Sequence, residues 1–490
     1  MNKPLRRVAI FCGLLVLALL IRVNWVQFVQ ADELKNDPHN RRVAIERYSM
    51  PRGNIIVDGK AITGSTTTDS GDFKYKRTYK NGTMWAPVTG YASQAFDANQ
   101  LEKLNDGILS GTDDKLFFSR TVDMFTGGQQ KGGNVVTTLD AKAQKAAFKG
   151  LGDKKGAVAA INPETGAILA LASTPSYDPS TFAGNTDKDA EAYNALQKKN
   201  NPDEPMLNRA LRQTYPPGST FKVVTAAAAL ENGRYDDVDA KTDSPLPYTL
   251  PDTSGIKLEN EGPIPCKDAS LRVALQYSCN TVFGKISADL GNKKMKAEAE
   301  KFGFNNAEID IPVRAAESIF PTDNRPQNAM AGIGQASNRA TPLQMAMVAS
   351  AVANDGKLMK PYMVEQLEAQ NLNVIQQHTP QVMNEPLSPE NAQKMQSIMQ
   401  TVVTEGTGKR AQIGGGVTVG GKTGTAQHGE DNKDNPYAWF ISYAKTAKGS
   451  PVAVAVVIEG SDTLRDDIAG GALAAPIAKD VMEAVLESNK

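Results

Sequence analysis

Residues that commonly build metal sites and hydrolase triads are scarce in this chain. Its 490 residues include only three histidines and three cysteines. No two histidines have the spacing of metal ligands and no Cys-x-x-Cys motif occurs, so we expect no metal site and no cofactor. A Ser-His-Asp hydrolase is disfavoured as well, because its base would have to come from three poorly placed histidines.

An excess of charge of one sign is also missing. Lysine and arginine together number 54, and aspartate and glutamate together also number 54. Without a global basic field the chain is not expected to bind nucleic acid, and it has no acidic tail for a tail-binding partner. No interior segment resembles a membrane span, and the length is enough for two or three domains.

The N-terminus carries one long apolar run. Basic residues precede Val8–Ile21, which has 14 residues, whereas a bilayer span needs about 20 and a signal-peptide core fewer. The segment Val23–Val29 is again mostly apolar, and the tolerable cleavage site Val29-Gln30-Ala31 lies ten residues past the apolar core. We therefore favour an uncleaved signal anchor over a removed signal peptide, with the chain beyond about residue 30 outside the cytoplasm.

Changes in composition along the chain predict three parts. Residues 1–31 form a cytoplasmic tip and a transmembrane anchor, residues 32–138 a small domain, and residues 139–490 a larger domain. The small domain is expected to be β-rich, because short β-like runs such as Asn54–Val57 and Phe73–Tyr79 are broken by Gly, Asn and Asp.

The larger part begins and ends with strand-like segments, and the stretch between them has mostly helical patterns. A sheet built from the two ends, with a helical insertion between them, is an α+β plan with helices on both faces. A cleft between the sheet and the insertion is the expected place for a site. The predicted elements at the two ends are the helix Leu139–Leu151, the strands Gly156–Ile161, Ala167–Ser173, Val417–Ala426, Ala438–Ala444 and Val452–Glu459, and the helix Ala472–Leu486.

Ser219 is the strongest candidate for a nucleophile. It follows Pro216-Pro217-Gly218 and opens a helical run rich in alanine, so it lies in a first turn, where free N–H groups and the helix dipole favour negative charge. Lys222 follows on the same face, and a desolvated amine there can accept the serine proton. A lone Ser-x-x-Lys pattern is common, however, and by itself it indicates only an N-cap serine followed by a solvent-facing lysine.

Two later segments strengthen this interpretation. Ser278-Cys279-Asn280 lies in the break between two helical patterns and could present a hydroxyl and an amide together, although a helix–helix turn with an Asn cap has the same pattern. Lys422-Thr423-Gly424-Thr425 lies on the first closing strand. Gly424 would let a substrate backbone approach closely, and Lys422 with the threonine hydroxyls could hold a carboxylate. The simpler alternative is a strand edge that carries a lysine against aggregation.

The order Ser-x-x-Lys, Ser-x-Asn, Lys-Thr-Gly on helix, loop and strand resembles the set found in penicillin-binding proteins and serine β-lactamases. Residues 140–490 resemble the transpeptidase domain of class B penicillin-binding proteins of the short penicillin-binding protein A type. The resemblance implies a transpeptidase fold with an antiparallel sheet flanked by helices, a pedestal domain at residues 32–138 and one membrane helix. The supporting segments are Asn162-Pro163-Glu164-Thr165-Gly166, Asn208-Arg209-Ala210, Gly332-Ile333-Gly334-Gln335 and Arg52-Gly53-Asn54-Ile55.

The resemblance implies a peptidoglycan D,D-transpeptidase. Ser219 would attack the carbonyl of a D-Ala-D-Ala stem peptide and Lys222 would take the serine proton. Ser278 and Asn280 would relay protons to the leaving group and bind the substrate amide. An amine of a neighbouring stem peptide would then resolve the acyl-enzyme and form the cross-link, whereas a β-lactam would acylate Ser219 and stay.

The resemblance also assigns the carboxylate and oxyanion sites. Lys422, Thr423 and Thr425 would hold the terminal carboxylate beside Gly424. The oxyanion hole would consist of the backbone N–H groups of Ser219 and Thr425, and losing one such donor typically costs ~2.7–4 kcal/mol of barrier.

Cys279 departs from the family pattern, because the middle residue of Ser-x-Asn is often Asp. Cys266 lies 13 positions earlier and, like Cys279, would be outside the membrane. A disulfide between them would hold the Ser-x-Asn loop, and a loop of that size is worth ~3 kcal/mol in the chain-entropy model. Two buried reduced thiols are the alternative, because two cysteines alone fix no geometry.

Partners and competing functions follow from the same resemblance. The stretch between the anchor and residue 140 is too short for a glycosyltransferase domain, so a separate membrane glycan polymerase would have to make the glycan strands.

A D,D-carboxypeptidase or a β-lactamase on the same fold is one alternative, although no base for a deacylating water can be assigned. A non-catalytic β-lactam sensor or cell-division scaffold is the other, although the cytoplasmic tip is too short for a signalling domain.

Overall fold

The computed structural model describes residues 3–35, 37, 40–68, 71–117, 121, 131–198, 201–459 and 469–489. Its first helix, α1 (Lys3–Asn24), continues as a π-helical segment (Trp25–Val29), and none of these residues is buried. The combined 27 residues would reach about 40 Å at ~1.5 Å per residue. This is the one described helix that is long and apolar enough to cross a membrane, so it is a candidate anchor; its retention and orientation stay predictions.

The N-terminal part after the anchor mixes short helices with short strands. Its helices are α2 (Ala31–Lys35), α3 (Arg41–Arg47), α4 (Gly82–Thr89), α5 (Gln100–Leu104) and α6 (Asp106–Ser110). Its strands are β1 (Ile55–Val57), β2 (Lys60–Ala61), β3 (Thr63–Thr67), β4 (Tyr75–Tyr79), β5 (Ala92–Ser93), β6 (Asp97–Ala98) and β7 (Asn134–Thr137). The two β-like runs predicted here correspond to β1 and β4, and the helices before β1 and after β4 were not predicted.

A buried ionic cluster holds this part together. The fully buried carboxylate of Glu102 accepts from Arg52 Nε at 2.7 Å and from Arg77 Nε at 2.6 Å. Arg52 also reaches Asp106 at 2.6 Å, and Arg77 donates to the backbone carbonyl of Gly53 at 2.6 Å. Burial alone would raise the pKa of Glu102, but the two guanidinium groups outweigh it and lower that pKa. The segment Arg52–Ile55, noted in the sequence, is thus anchored through its arginine.

The larger part contains the remaining elements. Its helices are α7 (Ala141–Leu151), α8 (Asp187–Leu196), α9 (Arg209–Arg212), α10 (Lys222–Glu231), α11 (Leu271–Gln276), α12 (Asn280–Leu290), α13 (Asn292–Lys301), α14 (Arg325–Ala331), α15 (Pro342–Ala353), α16 (Pro389–Thr404) and α17 (Gly470–Ser488). Its strands are β8 (Gly156–Ile161), β9 (Ile168–Thr174), β10 (Tyr248–Thr249), β11 (Lys257–Leu258), β12 (Leu358–Met359), β13 (Val364–Glu368), β14 (Val374–Gln377), β15 (Val382–Asn384), β16 (Thr418–Ala426), β17 (Tyr437–Thr446) and β18 (Gly449–Ile458).

One antiparallel sheet organises the larger part, in the order β16-β17-β18-β8-β9. The first and last stretches of the domain therefore meet in one sheet, as predicted. Strand β18 is buried on both faces, since α17 packs on one side of the sheet and α15 on the other. Helix α15 is buried along its whole length, and Thr341 caps it by accepting from the backbone N–H of Gln344. The expected α+β fold is confirmed.

A second sheet crosses the boundary predicted at residue 138. Its order is β14-β13-β7-β1-β2. Strand β7 pairs in parallel with β1 and antiparallel with β13, although β13 and β14 come more than 200 residues later in the chain. The pairing couples the two parts through backbone hydrogen bonds. Short, mostly exposed strands such as β14 carry almost no hydrophobic pattern, so the sequence did not indicate this pairing; the division at 138 and 139 stays a prediction.

Removing the central carboxylate of the ionic cluster should destabilise the N-terminal part. In Glu102→Gln two buried arginines lose their counter-ion, and breaking a buried pair in this way costs about 3–5 kcal/mol. Lys103→Ala is the matched control, because it removes the exposed Lys103–Asp97 pair, which is worth about 1 kcal/mol or less. The stability loss of each variant is measured by urea unfolding of the full chain in detergent, and hydrogen exchange of β3 and β4 shows whether the loss lies in the N-terminal part. Equal midpoints for the two variants would contradict the role given to Glu102.

Candidate active site

The turn that presents Ser219 is held from behind by glycine. Ser219 lies in a 3₁₀ turn (Gly218–Phe221) that runs directly into α10. Gly218 has φ +55°, and its N–H donates to the carbonyl of Gly334 at 2.9 Å. A Cβ on Gly334 would lie 2.0 Å from the carbonyl oxygen of Gly218, so no side chain fits there. The segment Gly332–Gln335, noted in the sequence, is the support for the Ser219 turn.

Lys222 is completely buried one turn after Ser219. Its Nζ donates to the carbonyl of Ser278 at 2.7 Å, to Ser278 Oγ at 3.1 Å and to Asn280 Oδ1 at 2.6 Å. These three acceptors match the three donors of an ammonium group. Among the described residues Ser219 Oγ has no hydrogen-bond partner within 3.5 Å, so its hydroxyl is free to meet a ligand.

The second lysine, Lys422, also contacts the hydroxyl of Ser278. Its Nζ donates to Ser278 Oγ at 2.9 Å and to the carbonyl of Thr423 at 2.8 Å. Burial lowers the pKa of Lys222 well below its usual value, and the charge of Lys422 lowers it further. Burial also lowers the pKa of Lys422 to about 7. Two ammonium ions that contact one buried hydroxyl repel each other strongly, so the site favours the neutral amine form of one of the two lysines.

The loop that carries Ser278 has an unusual backbone. Ser278 lies between α11 and α12 with φ +64°, in the left-handed region that non-glycine residues seldom adopt. Asn280 is the first residue of α12, and its side-chain amide donates to the carbonyl of Glu259 at 3.1 Å. The loop position predicted for Ser278 is thus observed, whereas Asn280 already belongs to the helix that follows; both residues contact the side chain of Lys222.

A disulfide joins Cys266 and Cys279 beside this loop, with a Cα–Cα distance of 5.6 Å. Both cysteines are fully buried. Of the two alternatives left open by the sequence, the structure contains the bridge. The bridge connects Cys279, which lies between Ser278 and Asn280, to the segment before α11. The loop is therefore held by this bridge as well as by its hydrogen bonds to the two lysines.

The segment Lys422-Thr423-Gly424-Thr425 lies on β16, the edge strand of the sheet. Thr423 Oγ1 shares a hydrogen bond of 2.6 Å with Thr407 Oγ1. A Cβ on Gly424 would lie 2.9 Å from Thr220 Cγ2, so the lack of a side chain there serves the packing of β16 against the Ser219 turn. A close approach of substrate to Gly424 stays a prediction.

The three motifs surround one cleft of about 470 Å³. Ser219, Ser278 and Thr423–Thr425 line it, while Lys222 and Lys422 are buried and contact it through Ser278 Oγ. The sequence did not identify the other lining residues, because single residues outside a motif carry no recognisable signal. They are Glu261, Ile264, Tyr277, Thr407, Lys409, Arg410 and Ala469–Ala472.

A further buried contact ties the segment before Ser219 to the sheet. Arg209, in the noted segment Asn208–Ala210, is fully buried and donates through Nε to Glu459 Oε1 at 2.9 Å. The hydroxyl of Tyr215 donates to the same oxygen at 2.5 Å. Glu459 directly follows β18, so this carboxylate connects the sheet with the chain that enters the Ser219 turn. In the described part of the chain no group of three or more His, Cys, Asp or Glu side chains is placed to hold a metal; His39 lies outside that part.

Two family models match this chain. The penicillin binding protein transpeptidase domain matches residues 156–483, and the penicillin binding protein A dimerisation domain matches residues 52–135. The first match covers all three motifs and more than half of the sequence. The chain belongs to the penicillin-binding protein family.

This penicillin-binding protein is similar to its relatives over nearly the whole length of the chain. It is 40% identical over 497 residues to the peptidoglycan D,D-transpeptidase PbpA of Mycolicibacterium smegmatis, with 99% of each chain covered. It is also 40% identical over 504 residues to PbpA of Mycobacterium tuberculosis, again with 99% of each covered. Among solved structures, the ceftriaxone acyl-enzyme of penicillin-binding protein A from M. tuberculosis superposes with TM-score 0.83 and 38% identity, over 90% of this chain and 100% of that one.

The disulfide gives a test of how the Ser278 loop is held in this penicillin-binding protein. Reduction should lower both the melting temperature and the rate of acylation by a fluorescent penicillin, because a bridge over a loop of this size contributes about 3 kcal/mol. A variant with Cys266→Ser and Cys279→Ser should show the same losses without reductant and no further response to it. Intact-mass measurement after alkylation reports the oxidation state. Two freely alkylated thiols in the unreduced native protein would exclude the bridge.

Proposed function

We propose that this chain is a peptidoglycan D,D-transpeptidase that cross-links stem peptides through an acyl-enzyme on Ser219. The observation that carries the proposal is the convergence of three separate motifs on Ser278 Oγ, next to a hydroxyl at Ser219 that has no hydrogen-bond partner among the described residues. The names of the mycobacterial relatives, aligned over nearly the full length, support the substrate class.

In the first half-reaction Ser219 Oγ attacks the carbonyl carbon of the penultimate D-alanine. Lys222 takes the hydroxyl proton, which requires its neutral form; losing one proton frees a lone pair on Nζ in place of one of its three donated hydrogen bonds. The lowered pKa of Lys222 makes that form accessible. The proton then passes through Ser278 to the nitrogen of the departing D-alanine.

The substrate is held on two sides. Lys422 and the hydroxyls of Thr423 and Thr425 bind the terminal carboxylate, and the amide of Asn280 binds the peptide. The backbone N–H groups of Ser219 and Thr425 stabilise the oxyanion. Two arrangements support this last role: Ser219 lies in the first turn of its helix, where N–H groups lack intrahelical acceptors, and β16 is an edge strand, which has unpaired backbone groups on one side.

The second half-reaction transfers the acyl group to an amine of another stem peptide. A β-lactam stops the cycle at the acyl-enzyme, since its amine remains attached to the acyl group. Ceftriaxone, imipenem and penicillin G acyl-enzyme complexes of the M. tuberculosis relative support β-lactam binding here.

The membrane anchor and a partner complete the proposal. The helix Lys3–Val29 holds the catalytic domain outside the cytoplasm, next to the nascent wall. A separate membrane glycan polymerase supplies the strands, because the stretch between the anchor helix and residue 140 is too short for a glycosyltransferase domain. The hydrolytic alternative and the non-catalytic sensor have no observation of their own in their favour.

Labelling with a fluorescent penicillin tests the nucleophile. The native full chain in detergent should acquire a stable label, and Ser219→Ala should acquire none, because the label is bonded to Ser219 Oγ in the proposed acyl-enzyme. Ser388→Ala is the matched control, since Ser388 also begins a helix, capping α16, but lies outside the cleft. Equal labelling of native protein and Ser219→Ala would refute the assignment, and rapid loss of label would favour a β-lactamase.

The pH profile of acylation tests the two lysines. The rate should rise with pH as Lys222 loses its proton, and fall again as Lys422, whose pKa is about 7, loses its own. Because the groups are coupled, each limb belongs to the pair. Lys422→Met should remove the alkaline limb and move the acid limb to higher pH, since the cation that lowers the pKa of Lys222 is gone.

Lys448→Met serves as the control for this profile. Lys448 is exposed in the turn between β17 and β18, so both limbs should stay in place. A stopped-flow penicillin-acylation series in detergent provides the rates. An acid limb that does not move in Lys422→Met would contradict the coupling between the two lysines.

A further inference from the structure

A carboxylate that the reaction scheme above leaves unused lies on the wall of the cleft. Glu261 is exposed and lines the cleft together with Ser219 and Ser278. Among the described lining residues it is the one acid, and it makes no ion pair within 4.0 Å with any described residue. Its charge opposes the lowering of the pKa of both Lys222 and Lys422, so it acts on the catalytic centre through space.

The segment that carries Glu261 is fastened to the Ser278 loop. The side chain of Asn260 exchanges two hydrogen bonds of 3.1 Å with Thr281, one to its hydroxyl and one from its backbone N–H. The carbonyl of Glu259 accepts from Asn280, and the disulfide closes the same segment a few residues later. The segment that carries Glu261 is therefore held against the Ser278 loop, and Glu261 itself is an exposed residue of the cleft lining.

The electrostatics of the cleft pose a problem for the second substrate. An amine is an ammonium ion in neutral water. Lys409 and Arg410 line the cleft, and the buried lysines Lys222 and Lys422 contact the hydroxyl of Ser278, which also lines it. A cationic acceptor approaching these groups is repelled unless a negative charge offsets them. Glu261 is the charge of the required sign.

We propose that Glu261 binds the ammonium group of the acceptor substrate in the cleft. This inference rests on the proposed transpeptidase function. The bound ammonium loses one proton to solvent. Its nitrogen then attacks the acyl carbon, the C–N bond forms as the bond from carbon to Ser219 Oγ breaks, and the second nitrogen proton passes through Lys222 to Ser219 Oγ.

The test measures how the acyl-enzyme partitions between two acceptors and water. The full chain in detergent is acylated by an acyl-D-alanyl thioester, and the ratio of amide to free-acid product is followed as D-alaninamide or hydroxylamine is added. D-alaninamide is largely cationic at neutral pH, whereas hydroxylamine is uncharged. The variants are Glu261→Gln, Glu261→Asp and the matched control Glu259→Gln, which removes an exposed acid of the same segment that does not line the cleft.

Glu261→Gln should lower the partition ratio for D-alaninamide about fivefold, the size expected for one exposed charge contact, and leave the hydroxylamine ratio within about twofold. Glu261→Asp should recover part of the loss, and Glu259→Gln should behave as the native chain does. A general change in the pKa of Lys222 would move both ratios together, so the difference between the acceptors isolates recognition of the ammonium.

Three outcomes would overturn the inference: unchanged ratios in Glu261→Gln, equal losses for both acceptors, or a native chain that is acylated yet forms no D-alaninamide product. Failure of the proposed function has a different signature. In that case the native chain itself would take no label from a fluorescent penicillin and no acyl group from the thioester, whatever residue stands at position 261.

Discussion

Two buried lysines donate to a single hydroxyl, Ser278 Oγ, at 3.1 and 2.9 Å. Lys222 is the first residue of the helix that follows the Ser219 turn, and Lys422 comes from the edge strand of the sheet, so this one atom joins helix, loop and strand. Burying two like charges together is unfavourable unless one of them gives up its proton. The fold therefore disfavours two ammonium ions at this place and favours one neutral amine, which can act as a general base. The proposed chemistry depends on this neutral amine.

The supports around this contact explain why the arrangement persists. Ser278 has a positive φ, which is seldom stable in a free loop, and the Cys266–Cys279 bridge and the bonds of Asn260 hold the loop in place. On the opposite wall, Gly218 and Gly334 let two backbone segments touch behind Ser219. Rigidity of this kind positions reacting groups before substrate arrives, which is a larger part of catalysis than any single contact.

The same construction links catalysis to the rest of the chain. Glu459, immediately after β18, receives Arg209 and Tyr215 from the segment that enters the Ser219 turn. Farther away, β7 of the N-terminal part pairs with both β1 and β13, so the two parts share a sheet. The two parts are thus joined by backbone hydrogen bonds between strands and not only by the chain that connects them.

The sequence by itself determined the elements with strong patterns and the motif residues. Gly156–Ile161 has the predicted bounds, and Ser219, Ser278 and Lys422 lie on the predicted helix, loop and strand, because capping residues and hydrophobic periods are local signals. Only the tertiary structure decided the pairing of β13 with β7, the disulfide, and the contacts of Thr407 and Glu261 with the cleft. These contacts depend on which distant segments of the chain pack together. Single polar residues have no periodic pattern from which such long-range packing could be predicted.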